Sequence, residues 1–380
     1  MSIKISDELF SYAVDIRRKI HMYPEVGFEL EKTVSLVTSE LKKIGLKPTT
    51  RYGKGSVVAE IGSGEKTIAI RADMDALPID EKTDLAYKSK VPRMMHACGH
   101  DSHTAILLAV ARHLKENEDK LKCRVRLIFQ PSEECAVSGA KMMVDNGVCE
   151  GVDHIICTHC ENDIPTGTIG IKTGDFMAAC VPATIRFIGK SAHATTPQFG
   201  IDANAMAIDA YRKMKETVKK EAGDIPHIWA VGRIAGGHVH NIISDACEMD
   251  VSFRFYDMDF ALRIENKVKE ICRNVADEYG GKVEFSWNMS TGPVCNDAGI
   301  VEKFAKLLNK NDIPTETIRP HMGSEDFGWY LTKVPGMLFL FGTYDEKSGC
   351  RTVAHNNDFC IDEEGMKVAI EAFCEYVMNC

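Results

Sequence analysis

The sequence has no long hydrophobic run and no excess of positive charge. No window of its 380 residues approaches the roughly 18 uninterrupted apolar residues that a membrane-spanning helix needs. Lysine and arginine number 46 against 55 acidic residues, which gives a formal net charge of −9. A surface with this balance does not attract a phosphate backbone or an anionic bilayer. We therefore expect neither a nucleic-acid nor a membrane partner.

The first residues lack the apolar core of a signal peptide, because Asp7, Asp15 and Arg17 interrupt positions 1–19. Fourteen cysteines would suggest disulfides in a small secreted domain, but this chain is long enough to bury a core without them. We expect reduced thiols that pack as small buried groups. These features together predict a cytoplasmic protein.

The chain has the composition of a globular protein, with 44% hydrophobic and 27% charged residues, and its length allows two domains. Apolar runs of strand length alternate with segments of helical period, which predicts an α/β fold with a mostly parallel sheet covered by helices. Residues 56–61 and 67–72 form two such runs, and Gly62-Ser63-Gly64 separates them. This spacing predicts a β-hairpin.

Residues 181–297 differ in pattern from the rest of the chain. Their predicted strands and helices follow the order βαββαβ, which is the ferredoxin-like motif. A complete unit of this kind predicts a smaller domain inserted into the larger one. Residues 1–180 plus 298–380 would then form the parallel-sheet domain.

Metal-ligating side chains follow several predicted strands of the larger domain. Cys98-Gly99-His100 places a thiol and an imidazole close enough to reach one ion, although such a short pair alone is often accidental. Glu134, His159 and one of Asp73 or Asp75 also come just after predicted strands. Ligands bind at the carboxyl ends of the strands in open α/β sheets. We expect these side chains to meet in one cleft.

The pair Glu133-Glu134 follows a buried strand through Gln-Pro-Ser. Adjacent side chains of an extended loop point in different directions, so one carboxylate can bind a metal while the other transfers a proton. An exposed pair of this kind is more often a solvated charge run. One carboxylate that binds metal beside another that transfers a proton is what metal-assisted hydrolysis requires.

Several strings together resemble a known family. They are Arg71-Ala-Asp-Met-Asp-Ala-Leu-Pro78, His96-Ala-Cys-Gly-His-Asp101, Phe129-Gln-Pro-Ser-Glu-Glu134 and Gly323-Ser-Glu-Asp-Phe327. The chain is similar over residues 12–360 to the metal-dependent amidohydrolases that include bacterial aminoacylases, hippurate hydrolase and plant indole-acetyl-amino-acid hydrolases.

The resemblance implies two divalent metal ions per subunit, either Zn, Mn, Co or Ni, and a general acid/base at Glu133. It also implies that residues 181–297 form a lid or dimerisation domain and that the enzyme is a homodimer. The implied metal ligands are Cys98, His100, Glu134, His159 and His355. On pattern alone His355 would be a loop histidine.

Three residues of the smaller domain receive roles through the resemblance. His193 would stabilise the tetrahedral intermediate, while Asn241 and Arg254 would bind the substrate carboxylate. A guanidinium fork suits a carboxylate. From sequence alone, a solvated arginine on an exposed sheet face is the less favoured alternative for Arg254, whereas His193 could equally be a surface residue.

The predicted activity is hydrolysis of N-acyl amino acids to a carboxylic acid and a free amino acid. A metallo-exopeptidase or dipeptidase, and a non-catalytic metal-binding protein on the same scaffold, are the alternatives. Two departures from the family pattern bear on the substrate. After Asn241 the family usually continues Val-Ile-Pro, whereas this chain has Ile242-Ile243-Ser244. After His159 the usual apolar residue is replaced by Cys160-Glu161-Asn162. Cys157 and Cys160 also form a Cys-x-x-Cys pair without a second pair at zinc-ribbon spacing.

Overall fold

The computed structural model describes residues 3–346 and 349–380, which form two compact units. The first unit comprises the chain up to Phe176 together with Val294–Pro320 and Asp326–Cys380. The second comprises Met177–Pro293 and His321–Glu325. The boundaries expected from sequence differ from these by four residues, and sequence did not assign the short segment 321–325 to the smaller unit.

The helices and strands are numbered in chain order. The helices are α1 (Asp7–His21), α2 (Glu31–Lys43), α3 (His100–Glu116), α4 (Gly139–Asp145), α5 (Ala203–Ala222), α6 (Met258–Tyr279), α7 (Ala298–Lys310), α8 (Gly328–Leu331) and α9 (Gly365–Met378). The strands are β1 (Val57–Ile61), β2 (Thr67–Asp73), β3 (Arg124–Gln130), β4 (His154–Pro165), β5 (Ile169–Ile171), β6 (Gly174–Met177), β7 (Ala179–Ile188), β8 (His227–Gly236), β9 (Ala246–Phe255), β10 (Lys282–Trp287), β11 (Val294–Asn296), β12 (Thr315–Thr317) and β13 (Gly336–Tyr344).

The first unit is built on a seven-stranded sheet with the order β1-β3-β2-β4-β13-β5-β12. The four neighbours β3, β2, β4 and β13 run parallel to one another, whereas β1 and β5 pair antiparallel with β3 and β13. Every residue of β2 is buried, as expected for a central strand covered on both faces. The predicted α/β fold with a mostly parallel sheet is confirmed.

The predicted hairpin is wrong. Strands β1 and β2 do not pair with each other, because β3 lies between them. Val57–Ile61 pairs antiparallel with β3, and Thr67–Asp73 pairs parallel with the opposite edge of the same strand. A glycine-rich connection indicates that the chain turns, but it does not determine which strand becomes the neighbour.

Helix α3 crosses the core of the first unit and brings polar residues into it. All but a few of its side chains are buried, including His100, Asp101 and His103 in its first turn. Asp101 forms an ion pair with Arg17 of α1 at 3.0 Å and accepts a hydrogen bond from His21 at 2.8 Å. These contacts compensate for the burial of the Asp101 carboxylate and join the two helices at the end that carries the candidate site.

The second unit contains a four-stranded antiparallel sheet with the order β10-β7-β9-β8, backed by α5 and α6. This is the strand order that the βαββαβ motif produces. Strands β7 and β9 alternate buried and partly exposed side chains, because one face of the sheet packs on the helices and the other does not. The predicted ferredoxin-like unit is confirmed.

Three of the cysteines differ from the expectation of reduced, buried thiols. The structure contains a disulfide between Cys350 and Cys360, and the Cys295 side chain is exposed, so the expectation of reduced, buried thiols is wrong for these three residues. Within the described ranges, no helix is both long enough and apolar enough to span a bilayer. The cytoplasmic location stays a prediction.

His154, a partly buried histidine at the start of β4, should make stability depend on pH. Burial, assisted by nearby Lys303, lowers the pKa of His154 to about 4, and its Nε2 atom lies 3.0 Å from the Tyr376 hydroxyl. An unfolded histidine binds its proton near pH 6.5. The unfolded chain therefore gains a proton first as the pH falls, and stability is lost between about pH 6.5 and pH 4.

Replacing His154 by Gln should reduce the loss of unfolding free energy between pH 7 and pH 5 by up to about 2 kcal/mol. Urea unfolding at both pH values measures this difference. Equal pH dependence in the variant and the wild type would show that His154 does not contribute.

Candidate active site

The carboxylate of Asp75 holds the turn that carries the two adjacent glutamates. Its Oδ1 atom accepts the backbone N–H of Glu133 at 2.9 Å, and its Oδ2 atom accepts that of Glu134 at 3.1 Å. The turn is tight because a Cβ at Gly139 would lie 1.7 Å from the carbonyl oxygen of Pro131. The Glu133 and Glu134 side chains each reach to within 3.9 Å of the His100 Nε2 atom.

The start of helix α3 places Cys98 and His100 on the two sides of Gly99. Gly99 adopts a left-handed backbone conformation, with φ of 82°, which glycine accepts without strain. The Nδ1 atom of His100 donates a hydrogen bond to the carbonyl oxygen of Asp75 at 2.9 Å. The Nε2 atom faces the glutamates, and once this atom loses its proton its lone pair is free to bind a metal ion.

His159 lies within a strand, not at its end as the sequence pattern suggested. Strand β4 continues to Pro165, because its pairing with β13 extends beyond the central sheet. The Nδ1 atom of His159 donates to the carbonyl oxygen of Cys160 at 2.7 Å, and its Nε2 atom lies 3.4 Å from the Cys98 sulfur. Two of the expected ligands therefore meet directly.

His355 reaches the same cluster from a loop near the C-terminus. Its Nε2 atom lies 3.0 Å from Oε1 of Glu134. The loop is closed by the Cys350–Cys360 disulfide, and the His355 backbone N–H donates to the carbonyl oxygen of Ala97 at 2.7 Å. These contacts hold His355 in a left-handed conformation, with φ of 69°, that is uncommon for a side-chain-bearing residue.

Five expected ligands and Glu133 thus lie together in the first unit. Their potential donor atoms form overlapping groups in which all members are within 4.8 Å of one another. These groups are Cys98 with His100 and His159, Cys98 with Glu134 and His355, and His100 with Glu133 and Glu134. A thiolate, imidazoles and carboxylates form a donor set suited to transition-metal ions.

The electrostatics of this cluster favour a cation. Burial and the neighbouring carboxylates Glu134 and Glu133 raise the pKa of the Cys98 thiol well above its usual value. Burial alone would lower the pKa of His100, but Asp73 and Asp75 raise it to about 10. The His100 Nε2 atom is buried and has no hydrogen-bond partner among the described residues. The local concentration of negative charge and the His100 Nε2 atom without a hydrogen-bond partner both fit a bound metal ion.

A buried ionic network beside the cluster was not evident from sequence. Arg71 binds Asp73 at 2.5 Å and Asp326 at 2.9 Å, and all three side chains are buried. Gln130 donates to Asp326 and accepts from Arg71. These residues stand in the family-like strings, but only the folded chain shows that they link β2, β3 and the segment after Glu325.

His193, Asn241 and Arg254 belong to the second unit. His193 and Asn241 are neighbours there, because the Ala194 N–H donates to the Asn241 carbonyl oxygen at 3.0 Å. Both side chains are exposed. Arg254 lies on β9 and donates from Nη1 to the Met322 carbonyl oxygen at 2.9 Å. Each of the three thus occupies a defined place within that unit.

The segment after Asn241 is held despite the missing proline. The Ile243 N–H donates to the Ala192 carbonyl oxygen at 2.8 Å, and the Ser244 carbonyl oxygen accepts from Ala203 at 2.9 Å. The Ser244 hydroxyl also donates to the Ala246 carbonyl oxygen at 2.7 Å. Hydrogen bonds here take over part of the restriction that a proline ring would provide.

An asparagine at position 75 should disturb the turn that carries the two glutamates. The amide can accept from one of the two N–H groups but not from both, so one buried donor loses its partner. For Asp75→Asn we expect metal affinity to fall by roughly tenfold or more. Chelator competition measures the affinity.

The matched control is Asp80→Asn, which removes a largely exposed carboxylate that pairs with Lys82. We expect this variant to bind metal as tightly as the wild type. Equal affinity in Asp75→Asn and the wild type would contradict the role of the Asp75 carboxylate.

Curated proteins from two microorganisms are similar to this chain over most of its length. Thermostable carboxypeptidase 1 of Saccharolobus solfataricus is 35% identical over 367 residues, which cover 95% of this chain and 93% of that protein. N-acetyl-L-cysteine deacetylase of Bacillus subtilis is 35% identical over 353 residues, which cover 92% of this chain and 83% of that protein.

A solved structure from Bacillus subtilis, described as a dinuclear metal-binding peptidase from the M20 family, matches the fold with a TM-score of 0.86 and 30% identity. The match covers 98% of this chain and 99% of that one. The family model of peptidase family M20/M25/M40 matches residues 69–379. The chain therefore belongs to peptidase family M20/M25/M40.

Proposed function

We propose that the protein is a metal-dependent amidohydrolase that cleaves the amide bond of N-acyl amino acids. The observation that carries this proposal is the convergence of Cys98, three histidines and two adjacent glutamates in the first unit. A relative named N-acetyl-L-cysteine deacetylase supports an acylated amino acid as substrate. The products are a carboxylic acid and a free amino acid.

The proposed cofactor is a pair of divalent ions held by the five ligands that the resemblance implies. When bound, such ions act as Lewis acids toward a carbonyl oxygen and make water more acidic. A thiolate ligand favours Zn, Co or Ni over Mg, and Mn also remains in the proposal because affinity alone does not determine which metal a cell supplies. The ligands are Cys98, His100, Glu134, His159 and His355.

Glu133 is the proposed general acid/base. It accepts the proton of the attacking water and passes that proton to the nitrogen of the leaving amine. Two observations support this role. Its backbone is held by Asp75, and its side chain is about 10% exposed, so bulk water has little access to the carboxylate.

The second unit supplies the proposed lid and substrate-binding groups. His193 stabilises the tetrahedral oxyanion, while Asn241 and Arg254 bind the carboxylate of the amino acid. The Arg254 Nη1 atom donates a hydrogen bond to the Met322 carbonyl oxygen. This bond orients the guanidinium group and so supports the assignment of Arg254.

Replacing Glu133 by Gln should separate chemistry from metal binding. The amide keeps the size of the side chain but accepts no proton, so kcat should fall by about 10²–10⁴-fold. Metal content, measured by elemental analysis, should stay at the wild-type level. A variant that turns over at nearly full rate would remove Glu133 from the mechanism.

A substrate panel tests the proposed activity against its alternatives. N-acetyl and N-benzoyl amino acids should release amine faster than dipeptides do, at equal substrate concentration and with metal-reconstituted protein. The carboxypeptidase among the relatives favours the exopeptidase alternative, for which dipeptides or longer peptides would be the better substrates. Bound metal without cleavage of any amide would favour the non-catalytic alternative.

The protein is also proposed to be a homodimer that pairs through the second unit. Strand β8 is an edge strand, and Ile228 and Ile234 on it are exposed. An exposed apolar edge strand suits strand pairing with a second copy.

Light scattering should give the mass of two chains, and Ile234→Asp should shift the protein toward monomers. Val137→Asp, which changes an exposed apolar residue of the first unit, is the control that should leave the mass unchanged. A wild-type protein that is monomeric at all concentrations would contradict the proposal.

A further inference from the structure

A chain of hydrogen bonds runs from Asp73 to His159 through His103 and the backbone of Cys160. The Asp73 Oδ1 atom lies 2.7 Å from Nδ1 of His103. The backbone N–H of Cys160 donates to Nε2 of His103 at 3.0 Å. The carbonyl oxygen of the same Cys160 accepts from Nδ1 of His159 at 2.7 Å. Sequence analysis did not single out His103.

The direction of these bonds determines the state of both histidine rings. A backbone N–H can only donate, so Nε2 of His103 must be an acceptor and its proton sits on Nδ1, facing Asp73. A carbonyl oxygen can only accept, so Nδ1 of His159 carries its proton. The free lone pair of His159 is therefore on Nε2, which faces the Cys98 sulfur at 3.4 Å.

Asp73, at which this series of hydrogen bonds begins, is held firmly in place. Asp73 is fully buried, and Arg71 binds its other oxygen, Oδ2, at 2.5 Å. The backbone carbonyl of Asp73 also accepts from the Thr104 hydroxyl at 2.7 Å. His103 is fully buried as well, and its ring contacts that of His159 with centroids 4.7 Å apart. Strand β2 and helix α3 thus form a rigid support for one residue of β4.

We propose that His103, held by Asp73, is a positioning residue that fixes the Cys160 backbone and through it the tautomer and ring orientation of His159. The inference rests on the proposed function, because His159 is one of the metal ligands assigned there. An outer partner that orients a ligating imidazole generally improves metal affinity. Here the partner acts through a peptide backbone and not by direct contact with the ligand's Nδ1 atom.

Two substitutions separate the two bonds of His103. His103→Asn keeps a donor near the position of Nδ1 but has no group at Nε2, so the Cys160 N–H loses its acceptor. His103→Gln places its amide oxygen near the position of Nε2 and keeps that acceptor, while the bond to Asp73 is lost. His154→Gln is the control, because it changes a partly buried histidine that lies outside this set of hydrogen bonds.

The measurements are zinc affinity by chelator competition, the absorption spectrum of the Co²⁺-loaded protein, kcat and KM for an N-acetyl amino acid, and Tm without metal. In His103→Asn we expect zinc affinity to fall by about 10–100-fold, the Co²⁺ bands to change and kcat to fall more than KM rises. In His103→Gln we expect values closer to the wild type. The control should lower Tm alone.

Unchanged zinc affinity and Co²⁺ bands in both His103 variants would overturn the proposal, and so would a greater loss in His103→Gln than in His103→Asn. If a variant does not fold, ¹⁵N NMR of histidine-labelled wild-type protein without metal remains decisive. We expect a proton on Nδ1 of both His103 and His159, and a proton on Nε2 of His159 would overturn the proposal. Wild-type protein that hydrolyses no amide would refute the proposed function but not this arrangement.

Discussion

The candidate site depends on how the first unit compensates for carboxylates buried inside it. Asp73 and Asp326 share Arg71, Asp101 pairs with Arg17, and Asp75 accepts two backbone N–H groups. A buried charge is tolerated only when it is paired or hydrogen-bonded. Each of these carboxylates is therefore committed to a partner, and each partner lies on a different element. These pairs hold β2, α1, α3 and the turn after β3 together at the candidate site.

The same arrangement brings two further carboxylates, those of Glu133 and Glu134, to within 3.9 Å of the His100 Nε2 atom. Glu134 also lies 3.0 Å from the Nε2 atom of His355. Burial and these two glutamates raise the pKa of the Cys98 thiol, while Asp73, Asp75 and Glu134 raise the pKa of His100. A metal ion at this position would balance the negative charge that these carboxylates bring together.

The sequence allowed the fold and most of the candidate site to be predicted, because buried parallel strands and amphipathic helices leave strong periodic patterns. It failed where the outcome depends on long-range pairing. The connection at Gly62 looked like a hairpin, but β3 inserts between the two strands. His355 had no local signal at all, since its place is set by a loop that closes far along the chain. Asp75 and His103 act through backbone groups, which no side-chain pattern reveals.

Gly99 and Cys160 pack so closely that neither position can accept a larger side chain alone. A Cβ at Gly99 would lie 2.3 Å from the Cys160 sulfur, whose thiol donates to the Cys98 carbonyl oxygen. The two ligand-bearing segments therefore touch where neither has space for another atom. Any lineage that enlarges one of these positions must shrink the other or push the segments apart, so the two sites are expected to change together during evolution. In a homologue with a bulkier residue in place of Cys160, the distance between the two ligand-bearing segments should be larger. The activity of that homologue would show how large this distance can become.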